Sequence, residues 1–73
     1  MFRIGEFVTR KPNIEKYIYT NGNSICQVVR HEKDGKMRVR IVGYKKPTSL
    51  DHAIGDEYNV DPQYFIQLSA RME

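Results

Sequence analysis

Tryptophan is absent from this chain, cysteine occurs once, and no apolar run is long. Each absence excludes a class. Cys26 has no partner for an internal disulfide, and His31 and His52 stand alone, without the short paired spacings of a zinc site. Small domains stapled by disulfide or metal are therefore set aside, and no cofactor is expected. A spanning helix needs roughly 20 apolar residues in a row. The opening Met1-Phe-Arg-Ile-Gly turns polar at once, so no signal segment is placed there. The expected compartment is the reducing cytoplasm, with no membrane partner.

What is present is one small domain. The 73 residues divide into a domain over 1–68 and a frayed tail over 69–73. A chain this short buries a modest share of its surface and is marginal without a staple. Support from a partner, or from a second copy of the chain, is the natural complement. Cys26 lies in the apolar run Ile25-Cys-Gln-Val-Val29 and reads as a buried small hydrophobe.

Charge is distributed unevenly. Residues 30–46 carry seven basic side chains (Arg30, Lys33, Lys36, Arg38, Arg40, Lys45, Lys46) against Glu32 and Asp34. Residues 47–73 carry Arg71 against Asp51, Asp56, Glu57, Asp61 and Glu73. A basic centre and an acidic last third either present a positive face to an anionic partner or neutralise each other across the fold.

The centre is also the strongest structural signal. Ser24–Arg30 and Met37–Gly43 are β-rich runs around the turn His31-Glu-Lys-Asp-Gly-Lys36. A three-residue loop Lys33-Asp34-Gly35, with glycine left-handed, sets Glu32 opposite Lys36 and Arg30 opposite Arg38. Val29 then pairs with Val39 and Gln27 with Ile41 on the inner face, and Val28 with Arg40 on the outer. A two-residue turn mixes polar and apolar residues on both faces, so the three-residue loop is preferred. The outer face is then basic.

Elsewhere, Phe7–Arg10 and Glu57–Val60 read as short strands. Asp61-Pro62 opens a single helical turn, with aspartate capping and proline first. Ile66-Gln-Leu68 closes the domain. Two long loops, Lys11–Asn23 and Lys45–Asp56, separate the strands. The expected core is Phe2, Ile4, Val8, Ile25, Val29, Val39, Ile41, Tyr58, Val60, Phe65 and Leu68.

This order of elements, with Ile4–Val8 at the entry, the 24–43 hairpin, and Tyr58-Asn-Val-Asp-Pro-Gln-Tyr-Phe65 near the exit, resembles the SH3-like small barrels. That superfold includes SH3, Tudor, chromo-like and KOW domains. The resemblance implies an all-β, five-stranded barrel with a one-turn helix before the last strand. It implies a fold more than a function. The Ala-Leu-Tyr and Trp-Trp elements of proline-binding SH3 domains and the glycine-rich KOW core are missing. The type II dihydrofolate reductases also resemble this chain in scale, with Val-Gln-Ile-Tyr in the pore strand before a proline. Here Tyr58-Asn59-Val60-Asp61 stands before Pro62, so both chemistry-bearing positions depart.

No catalytic residues are assigned. Serines, Cys26, His31 and His52 fall into no nucleophile–base motif, and the spacing of Asp51, His52, Asp56 and Glu57 matches no metal site. The expected function is a small non-enzymatic binding module. A protein partner, another copy included, would meet the loops at Tyr17, Ile18, Tyr19, Tyr44, Pro47, Leu50 and Ile54. The alternative is weak, salt-dependent nucleic-acid binding through Arg30, Arg38, Arg40, Lys33, Lys36, Lys45 and Lys46.

Overall fold

In the computed structural model, residues 2–11, 23–46 and 54–68 are described. They form five strands: β1 (Phe7–Arg10), β2 (Ser24–His31), β3 (Met37–Tyr44), β4 (Glu57–Val60) and β5 (Phe65–Gln67). All pairings are antiparallel, in one sheet of order β4-β3-β2-β1-β5. Among the described residues β4 and β5 are its two edges, and there is no α-helix. None of their helices is long and apolar enough to cross a membrane.

Local chemistry accounts for the turns. Glu32 N–H donates to the Lys36 carbonyl at 2.8 Å, and Lys36 N–H to Asp34 Oδ1 at 3.2 Å. Gly35 sits at φ 85, a conformation side chains resist, so the three-residue loop requires glycine there. The turn over Pro62–Tyr64 is a 3-10 helix. Asp61 caps it by accepting from Gln63 N–H at 3.1 Å, and proline stands where a missing N–H costs nothing.

The core is Val8, Cys26, Val28, Met37, Val39, Ile41, Val60 and Phe65, with Phe2, Tyr44, Tyr58 and Tyr64 packed around it. Val8, Val39, Ile41, Val60 and Phe65 stand where the sequence places them, and Phe2 and Tyr58 contribute from the margin. The hairpin interior differs. Arg30 does face Arg38, but a bulge at Val29 then shifts the register, so that Val28 meets Val39, Gln27 meets Arg40 and Cys26 meets Ile41. The uninterrupted register would bury Gln27, whose amide is costly to remove from water. One extra residue lets the turn keep its pairing while Cys26 and Val28 go inside. Ile25 and Val29 are left half-buried, as is Leu68, while Met37 joins the core. Ile4 is 64% exposed and does not belong to it.

Cys26 is fully buried, and burial pushes its thiol up to about 12. Its reaction with a water-soluble disulfide reagent should follow opening of the fold, at least about 10³-fold slower than in urea-unfolded chain. Labelling at the unfolded rate in native buffer would contradict this packing.

Candidate binding surface

The outer face of the sheet is laid out by register. One row crosses four strands as Glu57, Arg40, Gln27 and Phe7, and a second runs Asn59, Arg38, Arg30. The face therefore grades from charged at β4 and β3 to apolar at β1.

The arginine row is not free. Arg38 Nε donates to Glu57 Oε1 at 2.7 Å, and Arg40 donates to Glu57 Oε2 through Nε at 2.9 Å and Nη2 at 2.7 Å. Arg38 Nη1 also donates to Asn59 Oδ1 at 3.1 Å. Arg30 faces Arg38 directly, an unfavourable pairing, and turns to Glu32 Oε2 at 2.9 Å. Hydrogen bonds from the two arginines, Arg38 and Arg40, hold the Glu57 carboxyl below its ordinary value of 4.5. Such ion pairs at a surface contribute little to stability. Their consequence is electrostatic: three guanidiniums on this face are offset by two carboxylates.

The seven basic candidates do not gather into one patch. Lys33 and Lys36 lie at the tip of the hairpin, whereas Lys45 and Lys46 lie at its open end. There Asn23 clasps the chain, accepting from Lys46 N–H through Oδ1 at 3.0 Å and donating from Nδ2 to the Lys46 carbonyl at 3.1 Å. The hairpin strands are eight residues each, so its ends are roughly 26 Å apart. A shallow depression at the tip is lined by Glu32, Lys33, Asp34 and Asn59. No group of three potential metal ligands occurs among the described residues.

Of the protein-binding candidates, Tyr17, Ile18, Tyr19, Pro47 and Leu50 lie outside the described residues. Tyr44 packs against the core, and Ile54 is 48% exposed. The larger apolar surface is one that sequence reasoning missed. Phe7 is 47% and Ile66 41% exposed, and register puts both on the outer face, Ile66 opposite Thr9. Diagonal neighbours of this kind lie within reach of each other. Half-buried Leu68 adjoins them, its N–H donating to the Phe7 carbonyl at 3.0 Å. The readable signal was alternation in Phe7-Val8-Thr9, where only one of two adjacent apolar residues can face inward.

No protein-family model, curated protein or solved structure gives a significant match to this chain.

Proposed function

We propose that the chain is a small, cytoplasmic, non-enzymatic binding module that acts through protein contact, a second copy of itself among its partners. The observation that carries this reading is the exposed Phe7–Ile66 pair on a face whose arginines are already engaged. An aromatic ring beside a branched aliphatic residue on a rigid sheet is the material of interface anchors. A 73-residue domain without a staple also gains from burying such a pair. The strand order β4-β3-β2-β1-β5, with a 3-10 turn leading into β5, supports an SH3-like barrel as its architecture. Ile54 and the long loops widen the contact.

The second reading, weak nucleic-acid binding, draws on Lys33, Lys36, Lys45 and Lys46, for which no ion pair is found among the described residues. Separated lysines neutralise few phosphates at once. Light scattering over a concentration series should show the mass rising reversibly from monomer toward dimer. In parallel, labelled single-stranded oligonucleotides titrated at two salt concentrations should bind no tighter than about 10⁻⁴ M at physiological salt. A strict monomer that binds oligonucleotide at micromolar levels, weakening with salt, would replace the first reading with the second.

A further inference from the structure

We infer that β4 is the edge through which two copies of the chain join, antiparallel and in a single register. The inference rests on the self-association part of the reading above and assigns it to the edge of the sheet remote from the Phe7–Ile66 pair, which stays open to other protein partners.

Backbone geometry decides which groups are offered. Ile41 N–H donates to the Asp56 carbonyl at 2.9 Å, and the ladder continues with Val39 opposite Tyr58 and Met37 opposite Val60. Hydrogen-bonded pairs recur at every second residue of an antiparallel ladder. Tyr58 and Val60 thus turn their N–H and C=O groups toward β3, as Asp56 does its carbonyl, while Gly55 N–H donates to the Ile41 carbonyl at 2.7 Å. Glu57 and Asn59 turn theirs outward, and neither meets a backbone partner among the described residues. The offer ends at Asp61, whose carbonyl accepts from Tyr64 N–H at 3.1 Å.

Side chains then choose the alignment. Pairing β4 with itself must set outward-turned residues opposite each other, which leaves three arrangements centred on the strand. Glu57 opposite Glu57 brings two carboxylates together. Asn59 opposite Asn59 sets Glu57 against Asp61. The third arrangement, Glu57 opposite Asn59 of the second copy, is the one free of facing like charges.

That arrangement also matches donors to acceptors. Asn59 Oδ1 is occupied by Arg38, which leaves the Nδ2 hydrogens to donate elsewhere. Glu57 Oε1 takes one N–H and Oε2 takes two, so a carboxylate with about four acceptor sites keeps one on Oε1. The two-fold makes the Asn59 to Glu57 bond twice. It adds two hydrogen-bonded backbone pairs and brings Tyr58 opposite Tyr58 on the inner face, where side chains approach closest. The arginines of the two copies stay about three strand spacings apart, roughly 14 Å, with both glutamates between them.

Sedimentation equilibrium of the full chain from about 10 μM to about 1 mM tests this. The wild type should show a reversible monomer–dimer equilibrium. Asn59→Asp keeps an acceptor for Arg38, removes the donors, and sets a carboxylate against Glu57. It should raise the dimer dissociation constant at least about tenfold with an unchanged circular dichroism spectrum. Adding Glu57→Gln to Asn59→Asp restores one donor and one acceptor with roles exchanged, and should recover the dimer, which general damage to the fold would not allow. A wild-type dimer indifferent to Asn59→Asp overturns the β4 assignment and leaves self-association standing. A folded double variant that stays monomeric overturns the register. A wild type monomeric throughout overturns both the inference and the reading beneath it.

Discussion

Val28→Asp should abolish the native fold, whereas Val29→Asp, one residue along, should leave it standing. Val28 is 1% exposed and faces Val39, Val29 is half-buried at the bulge, and a carboxylate at each position meets a different environment. At Val28 the charge has apolar neighbours and no partner, a cost on the order of 3–5 kcal/mol. A small domain has roughly 5 kcal/mol in total at the lower end of the usual range, so little native population survives. At Val29 water reaches the side chain, and the loss is about 1 kcal/mol. Urea melts followed by circular dichroism decide the matter. A stable Val28→Asp beside an unfolded Val29→Asp would restore the uninterrupted hairpin register and remove the bulge from the account.

Glu57→Gln should convert the outer face from a compensated to a cationic one. The substitution removes the anion that Arg38 and Arg40 share, while leaving a side chain of nearly the same shape. Two guanidiniums become available to phosphate. Single-strand binding strengthens, and the slope of log affinity against log salt steepens by about 1.4, the value for two added phosphate contacts. The acid response changes as well. Because its folded value is lowered, Glu57 stabilises the native state above the ordinary carboxylate range, and that contribution disappears as pH falls through the folded value. The melting temperatures of wild type and Glu57→Gln should therefore differ at neutral pH and converge in acid. A difference that is constant from pH 7 to strongly acid conditions, or an unchanged salt slope, would mean that Glu57 is not what restrains the arginines.

Both predictions turn on features that differed in how far they could be read beforehand. The turn Lys33-Asp34-Gly35 was legible because its chemistry is local: a left-handed glycine, an aspartate accepting from Lys36 N–H, and matched pairs on either side. The short strands and the Asp61–Pro62 cap were legible for the same reason. The interior of the hairpin was misread: the uninterrupted register put Val29 and Gln27 inside and Val28 outside, and nothing within the run itself reveals the bulge that reverses this. Ile4 was misplaced by alternation alone; it precedes β1 and lies at a turn, where a period of two has no meaning. The Glu57 cluster was half legible. Placing Tyr58 and Val60 on one side of β4 puts Glu57 and Asn59 on the other, but nothing local says that β4 lies beside β3.

The strands, the Lys33-Asp34-Gly35 turn, the Asp61–Pro62 turn and the excess of positive charge along the hairpin were all legible in the residues themselves. Each follows from residues within a few positions of one another. Which valine turns inward, and what becomes of the charge, follows from packing between distant segments. The bulge exists because a turn and a buried face must be reconciled across eight residues of ladder. The arginines are compensated because Glu57, 17 residues beyond Arg40 and 19 beyond Arg38, is brought to the neighbouring strand. Contacts of that separation depend on which strands pair, and pairing is set by burial of the whole sheet.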